Sequence, residues 1–196
     1  MLGQSVRERK RTGTRQAILE AAWDLSRESG LAGVALRDLA ARVGMRAPSL
    51  YSYFGSKDEI YDAMFRQGYE QLLAEMQPFF AAEMDRATFR AGNRAFFQFC
   101  TSDPERYQLL FQRTVPDFVP SPESYHLAEQ VLEQLRDALR RLGVESESAG
   151  DLWTALSSGL IGQQISNDPG GERWSLLLDD AVDMYLDHVT VAEERA

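Results

Sequence analysis

Residues 36–57, LRDLAARVGMRAPSLYSYFGSK, place two apolar helical stripes on either side of a glycine and a proline, which fits two short helices around a tight turn. Leu36, Leu39, Ala40 and Val43 recur at i, i+3, i+4 and i+7, one apolar face of a short helix. Gly44 follows the last apolar position, where the left-handed conformation that glycine tolerates closes a helix without strain. Pro48 suits the first turn of the next helix, and Leu50 and Phe54, four apart, form its buried side. What is left outward is Arg46, Ala47, Ser49, Tyr51, Ser52 and Tyr53, short, polar or phenolic groups with no carboxylate among them. Such a surface can lie against phosphates and base edges, so the layout is that of a DNA-reading helix-turn-helix.

The rest of the chain reads as helices, with no strand pattern. A first helix is expected over residues 14–29, with Ile18, Ala21, Ala22 and Leu25 inward and Gly30 as its stop. Ser56 and Glu59 have capping-box spacing and open a helix expected to reach residue 83 through Ile60, Met64, Tyr69, Leu72 and Met76, with a bend at Pro78. An aromatic helix over 86–101 and a short one opened by Asp103-Pro104 follow. Pro116, Pro120 and Pro122 make 115–121 a stiff loop, and Ser121-Pro122 starts a helix ended by Gly143. Two last helices, 147–167 and 171–191, are parted by Asp168-Pro169-Gly170-Gly171.

The formal net charge of −9 argues against a nucleic-acid partner only if it is spread evenly. It is not: residues 1–60 carry +3 and residues 61–196 carry −12, an asymmetry that suggests one DNA-facing end. Arg7, Arg9, Lys10 and Arg11 against Glu8 alone, with Arg15 just beyond, make residues 1–13 read as a flexible basic arm, adding phosphate or minor-groove contacts. A chain of 196 residues can bury a substantial core. The single Cys100 cannot pair internally, and no signal peptide or membrane span is visible, so a reducing, cytoplasmic setting is expected.

Catalytic constellations are sparse. His126, His188 and Cys100 are the candidate ligands or nucleophiles, and Glu123-x-x-His126 is half of a di-iron spacing without its second half. Glu123 is better explained by the first turn of its helix, and His188 by the C-terminal turn of its own. There is no phosphate loop, paired CxxC or nucleophile elbow, so neither enzyme activity, metal nor cofactor is expected. Ala155, Gly159, Gly162 and Ser166, spaced 4, 3 and 4, put small residues on one side of a helix, for close packing inside the subunit or against another. Phe96, Phe97, Phe99, Cys100, Tyr107, Leu110 and Phe111, with Trp153 able to face them, make either core or the apolar walls of a pocket. Its candidate polar contacts are Tyr69, Asn93, Gln98, Tyr107 and Gln163.

Gly30, Leu39-Ala40, Gly44-Met45, Pro48-Ser49-Leu50-Tyr51-Ser52-Tyr53-Phe54 and Ser56-Lys57-Asp58-Glu59 together resemble the DNA-binding domain of the TetR family of transcriptional regulators. One position departs from the pattern. Where the family has a Ser or Thr cap, Val34 and Ala35 offer no acceptor, a loss of about 0.5–2 kcal/mol. The resemblance implies an all-α fold with a three-helix DNA-binding domain at 14–57 and a larger helical effector-binding and dimerisation domain at 58–196. It assigns DNA contact to Arg37, Arg46, Ala47, Pro48, Ser49, Tyr51, Ser52, Tyr53 and Lys57. It implies a homodimer through the last two helices, with Ala155, Gly159, Gly162 and Ser166 at the interface, on a palindromic operator. The implied effector is small and apolar, in a cavity of Tyr69, Phe96, Phe97, Cys100, Tyr107, Leu110, Phe111 and Trp153. The implied activity is ligand-responsive regulation, as a repressor. The competing reading is a helical protein-interaction adaptor, which calls for carboxylates or large aliphatics on the outward face that Ser49, Ser52 and the tyrosines occupy.

Overall fold

A computed structural model of the chain describes residues 6–193, and among these every regular element is a helix. The order is α1 (Val6–Ser29), a 3-10 turn (Leu31–Gly33), α2 (Leu36–Arg42), α3 (Ala47–Leu50), α4 (Lys57–Ala81), α5 (Arg86–Thr101), α6 (Pro104–Phe111), α7 (Pro122–Arg141), α8 (Glu147–Asn167), a second 3-10 turn (Ser175–Leu177) and α9 (Leu178–Glu193). No helix among the described residues is long and apolar enough to cross a membrane.

The chain forms two compact units, one of the segment up to Gly68 with Glu105–Tyr125, the other of Tyr69–Pro104 with the segment from His126 on. This division differs from the expected boundary at residues 57 and 58. The reason lies in the first unit, where α6 and the proline loop fold back on the opening turns of α4. Gly68 brings α4 so close to α6 that a Cβ there would sit 2.9 Å from Leu110 Cδ2. Phe118 of the loop lies 5.7 Å from Tyr61 and 6.4 Å from Phe65, ring centre to ring centre. The Asp62 carboxylate accepts from Ser121 N at 2.7 Å, Ser121 Oγ at 3.0 Å and Ser124 Oγ at 2.9 Å.

Local signals set most boundaries in this unit. Gly44 has φ 69°, and Met45 N and Gly44 N donate to Ala40 O at 2.9 Å and Ala41 O at 3.1 Å, the paired bonds that close a helix on a left-handed glycine. Ala35 caps α2 without a side-chain bond, as its sequence requires. Ser56 Oγ accepts from Glu59 N at 3.1 Å, while the Glu59 carboxylate reaches one residue beyond the expected box and accepts from Gly55 N at 2.7 Å. The main correction is α1. It begins at Val6, not near Thr14, so residues 6–13 of the expected flexible arm are helix, and residues 1–5 lie outside the described residues. Its Arg, Glu and Lys residues are good helix formers, and the Thr14 hydroxyl bonds back to Lys10 O at 3.0 Å instead of capping a new start.

In the second unit Trp153 is the centre of the core, 5.7 Å from the Phe89 ring and 5.0 Å from the Tyr185 ring, with Nε1 donating to Asn93 Oδ1 at 2.9 Å. Buried Tyr185 donates to Ala149 O at 2.9 Å, and desolvation pushes its hydroxyl up to about 12. Outside this core α5 and α9 are joined by a ladder of charges: Arg94 meets Asp179 at 2.6 Å, Arg90 pairs with Asp183, and Arg86 reaches Asp187 at 2.5 Å. The last helix begins at Leu178, not at Gly171. Buried Gln164 explains the delay, since it accepts from Trp174 N at 3.0 Å and Ser175 N at 3.2 Å and donates to Gly171 O at 3.1 Å, fixing 171–175 as a turn.

Candidate nucleic-acid interface

The candidate reading surface is built on a very short helix. Only Ala47–Leu50 is α-helical, with Pro48 in its first turn and Arg46 as an N-cap that makes no side-chain bond. Tighter bonds from Ser52 N to Ser49 O at 3.2 Å and Tyr53 N to Leu50 O at 2.8 Å carry the turn onward. Leu50 and Phe54 are each 1% exposed and pin this segment to the core. Those two anchors leave the opposite side to solvent. Arg46, Pro48, Ser49, Tyr51 and Ser52 are exposed, Tyr51 by 57%, and Ala47 and Tyr53 are half-buried. Arg37, in the first turn of α2, is exposed as well. The outward side of α3 therefore carries no carboxylate and is lined by small groups and phenols.

Lys57 is less free than the sequence suggests. It is half-buried, its Nζ donates to Ala32 O at 3.4 Å and it lies 5.2 Å from the centre of the Tyr61 ring. Tyr61 in turn donates its hydroxyl to Leu31 O. Both bonds tie the start of α4 to the turn before α2. A bidentate pair, Arg42 to Glu28 at 2.8 and 2.7 Å, ties the end of α2 to α1, and the Arg42 hydrogen bond holds the Glu28 carboxyl below its ordinary range.

Reading the N-terminus as an arm misplaces two residues of the candidate surface. Arg15 donates to Tyr53 O and stacks 4.0 Å from the centre of the Phe54 ring, and Arg11 donates to Ser52 O at 3.4 Å. The signal for this is present in the sequence. Residues 11, 15, 18 and 22 continue one i, i+4, i+7, i+11 stripe, so the two arginines extend the face that Ile18 and Ala22 bury.

The other expected sites fall as follows. In the first unit Tyr107 and Leu110 are buried, Phe111 is half-buried and its ring lies 5.5 Å from Tyr107. In the second, Tyr69, Phe97, Cys100 and Trp153 are buried and Phe96 is half-buried. Asn93, a candidate polar contact, spends its amide on Trp153 and, at 2.8 Å, on Phe89 O, while Gln98 and Gln163 are exposed. Ala155, Gly159 and Ser166 are exposed and Gly162 is half-buried, and a Cβ built at either glycine meets nothing within 4 Å. On the same helix Leu152 is 41% exposed, and on α9 Met184 is 61% exposed. His126 and His188 are exposed, and among the described residues no group of three or more His, Cys, Asp or Glu is placed to hold a metal ion.

Residues 18–64 match the family described as bacterial regulatory proteins, tetR family. The HTH-type transcriptional activator FasR of Mycolicibacterium smegmatis is 28% identical over 141 residues, covering 69% of this chain and 63% of that protein, so the match spans less than two thirds of the relative. An HTH-type transcriptional repressor of Mycobacterium tuberculosis is 23% identical over 197 residues, covering 94% of this chain and 74% of the other. The crystal structure of PfmR from Thermus thermophilus, a TetR family transcriptional regulator, superposes with a TM-score of 0.66 at 23% identity, over 87% of this chain and 97% of that one.

Proposed function

From a chain that belongs to the tetR family of bacterial regulatory proteins, we propose a transcriptional regulator that binds a palindromic operator as a homodimer and answers to a small apolar effector. The observation that carries this is the outward side of α3, which offers Arg46, Ser49, Tyr51, Ser52 and Tyr53 without a carboxylate, in a chain whose net charge is −9. Each group has a task suited to its chemistry. Arg46 bonds guanine or a phosphate, Ala47 and Pro48 touch a thymine methyl, and the Tyr51 and Tyr53 hydroxyls with Arg37 anchor on phosphates. Lys57 adds charge beside the backbone while held on Ala32 O.

Dimerisation is supported by the uncovered small-residue stripe of α8 beside exposed Leu152 and by exposed Met184 on α9. A two-fold dimer presents its α3 segments to half-sites about 34–36 Å apart or a multiple of it. Of the two relatives described above one is an activator and one a repressor; repression is the simpler reading, since blocking needs only occupancy. α4 runs from Lys57 to Ala81, and an effector that displaces it changes the spacing of the two reading segments, provided it binds the two states unequally.

Selection of sites from random double-stranded DNA with the full chain, followed by affinity across a salt series, tests the proposal. An enriched palindrome bound with a steep salt slope supports it. No enrichment by folded, dimeric protein counts against it and favours the adaptor or a regulator that needs its ligand to bind DNA.

A further inference from the structure

We infer that Arg15, assisted by Arg11, is a positioning residue that holds the DNA-reading segment in register from α1, and is not a phosphate contact. The inference deepens the DNA-binding reading above and rests on it. A helix of four residues has too few internal bonds to hold itself, because nucleation is unfavourable and each end leaves backbone groups unpaired. α3 has no side-chain bond at its N-cap, so its order must come from elsewhere. Leu50 and Phe54 anchor one side. The carbonyls of Ser52 and Tyr53, at the C-terminal end of the segment where a cation is favoured, are taken by Arg11 and Arg15.

Arg15 makes two kinds of contact at once. Its guanidinium lies 4.0 Å from the centre of the Phe54 ring and donates along its edge to Tyr53 O, so a single planar group fixes the carbonyl and the aromatic anchor that follows it. Tyr51, Ser52 and Tyr53 are the residues directly before that anchor. A shift of the carbonyls therefore moves the side chains that read DNA. Arg11, at 3.4 Å and exposed, is the weaker partner.

The two roles separate in experiment. With the selected operator and a random duplex, Arg15→Ala is expected to lose on the order of tenfold in operator affinity, the size of one hydrogen bond to a charged group, with random DNA changed less than about twofold and the salt slope unaltered. A phosphate contact instead weakens both duplexes alike and lowers the slope by about 1 per subunit, which would overturn the inference. Arg15→Lys discriminates further: near-complete rescue means that a point charge suffices and refutes positioning, while a loss close to that of Arg15→Ala supports it. In the free protein, amide exchange at Ser52, Tyr53 and Phe54 is expected to accelerate about tenfold in Arg15→Ala, and less in Arg11→Ala, with helicity preserved. Unchanged exchange overturns the inference whether or not the chain binds DNA. Absence of any selected site alongside accelerated exchange counts against the functional proposal alone.

Discussion

Replacing Asp62 by alanine removes the acceptor for three hydrogen bonds from the start of α7, at 2.7, 3.0 and 2.9 Å. Each bond to a charged acceptor contributes about 1.5–3 kcal/mol net, and each buried donor left unpaired costs about 1–3 kcal/mol. The three do not add. Ser121 is half-buried and can be hydrated, and Ser121 Oγ and Ser124 Oγ, 3.1 Å apart, can satisfy one another, whereas Ser124 is 0% exposed and has no access to water. The expected destabilisation is therefore about 2–4 kcal/mol, the upper half of what single substitutions do. The Ser121 amide donates directly to Asp62, so its hydrogen exchange is the most local probe: about 100-fold faster exchange corresponds to some 3 kcal/mol. Urea unfolding should give the same loss if this site opens only with its unit, and Ser124→Ala, which deletes one donor, should cost about 1 kcal/mol. A change below about 0.5 kcal/mol in Asp62→Ala would mean that Phe118 against Tyr61 and Phe65 docks the loop by itself, and that the carboxylate is incidental.

Three more substitutions probe other parts of the chain. The Asp183 carboxyl is held below its ordinary range, first by the hydrogen bond from Arg90, so its contribution is complete above about pH 4 and lost as pH falls through the lower folded value. Asp183→Asn should accordingly flatten the acid limb of the thermal midpoint, and an acid limb identical to wild type would show the α5–α9 ladder to be without effect. Gly13 lies inside α1 with open space around its Cβ position, so Gly13→Ala should stabilise the first turns by about 0.5–1 kcal/mol and raise helicity by circular dichroism; no gain would contradict a helix beginning at Val6. Tyr51→Phe should weaken operator and random DNA about equally, because an exposed hydroxyl on a phosphate carries no base information, and a loss confined to one base-pair variant would make Tyr51 a base reader.

The helix-turn-helix was legible because each of its turns is written in a residue with a local meaning. Gly44 takes a positive φ, Pro48 sits in a first turn and Ser56 caps α4, and each acts on neighbours within four residues. The starts of α6 and α7 at prolines were readable for the same reason. What was missed depends on partners distant in sequence. Residues 6–13 have no apolar stripe, and their helix is backed by carbonyls 38 and 41 positions away. The delayed start of α9 is set by Gln164 reaching 10 and 11 residues ahead, and the unit boundary by Asp62 meeting Ser121, 59 residues on. At the candidate site the outward positions of α3 followed from the burial of Leu50 and Phe54. The internal engagement of Lys57 did not, since its bond to a remote carbonyl leaves no periodic trace, whereas Arg11 and Arg15 continue the buried stripe of Ile18 and Ala22, a signal that reading them as an arm passes over.

That engagement changes how the basic surplus of the first 60 residues acts. Arg42 faces a carboxylate, so its charge is largely cancelled by Glu28 and adds little at a distance. Arg11, Arg15 and Lys57 are bonded to neutral carbonyls and keep their full charge. Their donors are occupied, so the charge of Arg11 and Arg15 is not spent on neutralising a phosphate, in keeping with a salt slope that Arg15→Ala leaves unaltered. A short helix that recruits cations to the carbonyls that follow it thereby gains order from residues whose donors are withdrawn from other contacts. The carboxylates of the remainder, three of them tied in the α5–α9 ladder, make the whole chain acidic while residues 1–60 stay basic.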